Sequence, residues 1–108
     1  MWTPEPSIIV TAAQREEAAR AGLIEQFRAA IQRHVDQTAV SRRYDNGVSL
    51  ASYVASGNPD WAAEAQAFVA WRDAVWTYAY SELDKVLAAE REQPSVEAFI
   101  GELPVIAW

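Results

Sequence analysis

The side chain best suited to acid–base chemistry is His34, which is the only histidine of the chain. A metal site built on two histidines is therefore excluded, and a Ser-His-Asp triad would have to use this one residue. No serine stands in the G-x-S-x-G context of a nucleophile elbow, and no glycine-rich phosphate loop is present. The chain also has no cysteine, so a thiolate nucleophile and a cysteine-based metal site are excluded. The sequence predicts a protein that is not an enzyme and that has no cofactor.

A second group that could do chemistry is the polar run from Arg42 to Gly47. With the histidine upstream it gives a candidate polar cluster of His34, Arg43, Tyr44 and Asp45. Polar groups at the end of a helix usually serve as local caps. The alternative is that the adjacent arginines bind an anion or a peptide carboxylate.

Arg72 is a third candidate because it falls on an apolar stripe in the middle of a predicted helix. An unpaired charge there would be costly. One interpretation is a buried pair with Asp45 that fixes the register of two helices. The other is a polar anchor at a subunit interface.

Aromatic side chains crowd the same predicted helix, and together with the arginine they give four candidates for an interface: Trp71, Arg72, Trp76 and Tyr80. Aromatic residues at helical spacing are mostly core residues, yet they are also common anchors of protein interfaces. The apolar arc of this helix is too broad for one neighbouring helix to cover. We therefore expect at least one of its aromatic side chains to be exposed in the isolated chain, and we expect a homo-oligomer or a complex with another protein.

Charge and composition narrow the class of protein. The chain of 108 residues has a net charge of −6, and residues 46–108 carry the whole acidic excess. An acidic surface repels phosphate backbones, so we expect no nucleic-acid partner. One interpretation of the acidic half is a solvent-exposed surface that keeps the protein soluble. The alternative is a surface on which a basic partner docks. No apolar run approaches the roughly 18 residues of a membrane span, and the N-terminus lacks a basic signal region, so we expect no membrane partner and a cytoplasmic location.

Helix signals position these residues on two long elements. Thr11 and Gln14 form a capping-box pattern that begins a helix reaching about residue 45, with a bend predicted at Gly22 and the left-handed residue that ends it predicted at Asn46-Gly47. Asn58-Pro59 begins a second helix that reaches about residue 90. The apolar stripes Phe27/Ile31/Val35 and Phe68/Val75/Ala79 are predicted to face each other.

Two shorter helices follow from weaker signals. Ser49 is placed to cap a helix over Leu50–Ala55, and Ser95 is placed to cap a helix over Val96–Glu102. The predicted fold is all-α, with an antiparallel pair of long helices, two short helices and an extended N-terminal arm. In domain terms, residues 1–10 are predicted to be the arm and residues 11–108 a single helical domain.

The order and spacing of several short motifs over about residues 31–104 resemble a module of small tailed-phage and prophage proteins. The module is similar to the C-terminal part of phage tail-fibre assembly proteins. The motifs are Arg33-His34-Val35-Asp36, Tyr44-Asp45, Ser52-Tyr53, Asn58-Pro59, Glu64-Ala65-Gln66-Ala67, Val69-Ala70-Trp71-Arg72-Asp73 and Pro94-Ser95-Val96-Glu97.

This resemblance implies a structural or chaperone-like role in tail assembly, through helix-mediated protein–protein contacts. The implied partner is a phage tail or tail-fibre protein, and the implied location is the cytoplasm of the bacterial host or the virion tail. The alternative function is that of a small acidic regulator or inhibitor, which would bind a basic surface of a host or phage enzyme.

Overall fold

A computed structural model describes residues 11–108, which form four helices and no strand. The helices are α1 (Ala12–Ser41), α2 (Gly47–Ala51), α3 (Pro59–Leu87) and α4 (Val96–Glu102). Helical residues make up 72% of the described part, which confirms the all-α class, the pair of long helices and the short helices. The predicted extended arm of residues 1–10 lies outside the described residues.

The start of α1 is a complete capping box. The Thr11 hydroxyl accepts a hydrogen bond from the Gln14 amide at 3.1 Å, and the Gln14 side chain accepts one from the Thr11 amide at 2.9 Å. The helix then passes through Gly22 without interruption, where we predicted a bend. At roughly 45 Å, α1 is long, and every residue from Thr11 to Leu23 is exposed.

The end of α1 differs from the prediction. The left-handed residue is Arg43, with φ of 73°, whereas Asn46 has an extended backbone with φ of −167°. The Asn46 side chain accepts a hydrogen bond from the Ser49 amide at 2.8 Å, so it begins α2 instead of ending α1. Because asparagine is a strong N-cap, α2 begins at Gly47 and not at Leu50 as predicted.

Glycine at position 47 allows α2 to wedge against both long helices. A Cβ atom there would lie 3.1 Å from Cζ of Phe68 and 3.1 Å from Oδ1 of Asp36. The Gly47 amide instead donates a hydrogen bond to that Asp36 oxygen at 2.9 Å. Leu50, one turn later, is completely buried. The α2 helix thereby closes one end of the α1–α3 pair.

The α3 helix begins as predicted. The Asn58 side chain accepts hydrogen bonds from the amides of Asp60 and Trp61 at 3.0 and 3.2 Å, and Pro59 takes the first helical position. The helix ends at Leu87, a few residues before the predicted end. Ala89 adopts a positive φ of 58° and turns the chain, so the helix cannot continue to Pro94.

The two long helices run antiparallel. Arg42 of α1 lies 3.4 Å from Glu64 near the start of α3. Further along, the rings of His34 and Trp71 have centroids 5.7 Å apart. Residues with lower numbers on α1 thus contact residues with higher numbers on α3, as in any antiparallel pair.

The core lies between these helices, with contributions from both short ones. Its buried members are Ile31, Val35, Ala39, Leu50, Ala65, Phe68, Trp71, Val75, Ala79, Phe99 and Leu103. Phe27 packs against this cluster and is partly buried. Members of both predicted apolar stripes therefore lie in or against one core cluster.

The α4 helix covers one side of the pair. The Ser95 hydroxyl accepts a hydrogen bond from the Ala98 amide at 3.1 Å, which confirms the predicted cap. Phe99 meets Phe27 edge-on with centroids 5.7 Å apart and stacks on Tyr78 at 5.8 Å. After α4, the Pro104 carbonyl accepts a hydrogen bond of 2.7 Å from the Trp71 indole.

Phe68→Ala is expected to lower the free energy of unfolding by about 3–5 kcal/mol, because Phe68 is completely buried and its removal leaves a cavity. Denaturant unfolding followed by far-UV circular dichroism measures this change. The control is Val48→Ala at a side chain that is 79% exposed, with an expected change within about 0.5 kcal/mol. A loss below about 1 kcal/mol for Phe68→Ala would contradict the assigned core.

Candidate functional site

The predicted polar cluster is not assembled into one site. His34 is half-buried on α1 with its ring against Trp71. Tyr44 lies beyond the end of the helix, where its hydroxyl donates to Glu64 at 3.5 Å. Burial, followed by the neighbouring Glu64 carboxylate, raises the pKa of Tyr44. Arg43 and Asp45 are exposed and form no ion pair within residues 11–108. Arg43, Tyr44 and Asp45 therefore belong to a local turn, and the four side chains do not converge on one site.

Arg72 is not buried with Asp45, as one interpretation required. Its side chain is 36% exposed, and its guanidinium donates to the neighbouring Asp73 carboxylate at 2.9 and 3.1 Å. The long aliphatic stem can follow the edge of the apolar stripe while the charged head reaches water. The interpretation of Arg72 as the buried partner of Asp45 is therefore wrong.

The three aromatic interface candidates have different environments. Trp71 is only 6% exposed and lies in the core. Trp76 is half-buried, and its ring lies 5.9 Å from that of Tyr80. Tyr80 is 60% exposed. Trp76 and Tyr80 are therefore available to a partner, whereas Trp71 is buried by contacts within the chain.

Trp76 and Tyr80 line an apolar depression between the two long helices, which we call the α1–α3 groove. It lies between residues 20–31 of α1 and residues 76–87 of α3, and its volume is about 170 Å³. The α2 helix fills the seam at the other end of the pair but does not reach this end. Its apolar lining consists of Leu23, Ile24, Phe27, Ile31, Trp76, Ala79, Tyr80, Leu83, Val86, Leu87, Pro94 and Phe99.

The spacing of the lining residues explains the shape of the groove. On α1 they include Ile24, Phe27 and Ile31, and on α3 they include Trp76, Tyr80, Leu83 and Leu87. Steps of four and three residues keep side chains on one narrow face of a helix, as in the seam of a helical bundle. Each helix thus presents a bundle seam at this end, and within residues 11–108 the α4 helix contributes only Phe99 to the lining.

A network of ion pairs around Arg91 borders the groove, with Arg91 and Glu82 in its lining. Arg91 donates to Glu82 at 2.9 Å and to Glu102 at 2.6 Å, and its guanidinium lies 5.7 Å from the centroid of the Phe99 ring. The Tyr78 hydroxyl donates to Glu102 at 2.8 Å. These bonds join α3, the α3–α4 loop and α4.

The same network shifts the ionisation of its members. Hydrogen bonds from Lys85 and Arg91 lower the pKa of Glu82, and those from Arg91 and Tyr78 lower the pKa of Glu102. The two carboxylates raise the pKa of Arg91. Sequence reasoning did not identify this network. Its one local signal is the Glu82–Lys85 spacing, which is a helical neighbour pair at 2.9 Å.

The arrangement supports binding through apolar contact. Among residues 11–108, no group of three or more His, Asp or Glu side chains is placed to hold a metal ion. No helix in this part of the chain is long and apolar enough to cross a membrane.

Comparisons with protein-family models, with curated proteins and with solved structures find no match to this chain.

Arg91→Gln is expected to destabilise the protein at neutral pH, because it leaves the Glu82 and Glu102 carboxylates without their shared cation. The folded-state pKa values of both carboxyls are lowered, so their contribution is present above the ordinary glutamate pKa and is lost as pH falls through the folded values. The difference between wild type and variant should therefore shrink towards acid pH. Denaturant unfolding at a series of pH values measures it.

Arg72→Gln is the matched control, since it removes an arginine whose only ion pair among the described residues is with its exposed neighbour Asp73. Its effect on stability should be smaller than that of Arg91→Gln at neutral pH. Equal effects of the two variants, or an Arg91→Gln effect that does not change with pH, would contradict the assigned network.

Proposed function

We propose that this protein is a non-enzymatic helical interaction protein that acts in phage tail assembly and makes its contacts through the α1–α3 groove. The observation that carries the proposal is the open groove itself. Leu23, Tyr80 and Leu87 stand at its edges with 37%, 60% and 51% of their surface exposed. Contiguous apolar surface of this kind usually marks a protein contact.

The chemistry of the groove favours another helix as its occupant. Two antiparallel apolar seams with steps of four and three residues form the side of a helical bundle that lacks its remaining members. An amphipathic helix laid into such a groove is a common mode of recognition. The lining offers Ile24, Leu83 and Trp76 as contact surfaces and little polar chemistry for anything else.

The assignment to tail assembly rests on the sequence resemblance over residues 31–104. The alternative of an acidic inhibitor is less well supported, because several acidic side chains of the second half are paired within the chain. Arg91 holds Glu82 and Glu102, and Arg72 holds Asp73. These carboxylates already have cationic partners within the chain.

Tyr80→Glu tests the groove as a contact surface, because it places a charge at the edge without disturbing the core. Two associations are measured for the purified protein. One is self-association by analytical ultracentrifugation, and the other is co-purification with a co-expressed phage tail-fibre protein. We expect wild type to show at least one of them and Tyr80→Glu to lose it.

Val48→Glu is the matched control, since it adds the same charge at an apolar side chain that is 79% exposed and outside the groove. It should retain the association, and both variants should keep the wild-type circular dichroism spectrum. The proposal fails if wild type shows neither association, or if Tyr80→Glu retains all that wild type shows.

His34→Ala should leave the measured association within about threefold of wild type, because the imidazole packs on Trp71 and does not line the groove. The same binding measurement checks this expectation. Complete loss of association in a variant that remains folded would return His34 to the candidate site.

A further inference from the structure

We infer that the occupant of the α1–α3 groove is the same groove of a second copy of this chain, so that two copies form a two-fold dimer with a four-helix seam. This inference rests on the proposed function, because it names the partner of the contact surface proposed there. In a closed two-fold contact, one patch must be complementary to itself.

The groove meets this condition because projections and depressions lie on one patch. Tyr80 and Leu87 project at the α3 edge, with more than half of their surface exposed. The depression beside them is lined by Ile24, Phe27 and Leu83. A second copy can insert its own Tyr80 and Leu87 there while receiving those of the first copy.

Spacing gives a second reason. Both seams repeat in steps of four and three residues. A seam of one copy can therefore pack against a seam of a second copy as well as it can against a helix of another protein. If the two-fold axis runs along the helices, α1 of one copy lies beside α3 of the other. Those neighbours are again antiparallel, which is the arrangement of an up-and-down four-helix bundle.

Charge at the two edges supports this orientation. Arg20 lines the groove on α1, and Asp84 stands on α3 four residues after Tyr80 and three before Leu87. Neither forms an ion pair within residues 11–108. Arg42 lies beside Glu64 and His34 beside Trp71, and continuing this register along the pair brings Arg20 to about the height of Asp84. Placing α1 beside the partner's α3 therefore brings opposite charges together at two symmetric positions.

Charge reversal tests the dimer in the full chain. Sedimentation equilibrium over a concentration series gives the dimer dissociation constant for wild type, R20E, D84R and the double variant R20E/D84R. Each single variant places like charges at both symmetric contacts, so its dissociation constant should rise about tenfold. The double variant restores opposite charges and should return close to the wild-type value.

Arg33→Glu is the control, since it makes the same change on an exposed α1 residue outside the groove lining, and its dissociation constant should stay at the wild-type value. The inference is overturned if wild type is monomeric at several hundred micromolar, or if the double variant is no stronger than the singles. A monomer that still binds the tail-fibre protein through Tyr80 overturns the dimer alone and leaves the proposed function standing. Absence of both associations overturns the two together.

Discussion

Two helices of thirty and twenty-nine residues are covered in this protein by two helices of only five and seven residues. This disproportion decides where the core can form. The α2 helix closes the seam at one end, where Leu50 and Phe68 are completely buried. The α4 helix covers one side through Phe99. Within residues 11–108, the remaining stretch of the seam has apolar side chains on both helices and only Phe99 of α4 beside it, which is why this part of the chain has a groove there.

Features set by a few neighbouring residues were predicted correctly from the sequence. The Asn58-Pro59 start and the Ser95 cap depend on a side chain and the amides two or three positions later, so they can be recognised without knowing the fold. Asn46 shows the limit of this reasoning. The same residue can end one helix or begin the next, and the hydrogen bond from Gly47 to Asp36 belongs to the packing of α2 on α1. That packing is not visible in the local sequence.

The candidate site was only partly predictable for a related reason. Periodicity identified α3 as more apolar than one neighbour could cover, but it could not say which aromatic side chains the short helices would bury. Trp71 and Trp76 are five residues apart, so they point about 140° apart around the helix. The chain after α4 reaches Trp71 and leaves Trp76 beside the groove. The Arg91 network was missed because Glu82, Arg91 and Glu102 lie in three different segments.

The exposure of the first turns of α1 has a thermodynamic consequence. From Thr11 to Leu23 the helix is sustained by its cap and by propagation from the packed half, and a free helix of this length is marginal in water. Local opening of these turns should therefore require less free energy than opening around Ile31 and Val35. Any surface that lies against Ile24 would also protect the turns upstream of it, because helix formation is cooperative. Hydrogen exchange of the amides in these exposed turns would then report whether the groove is occupied.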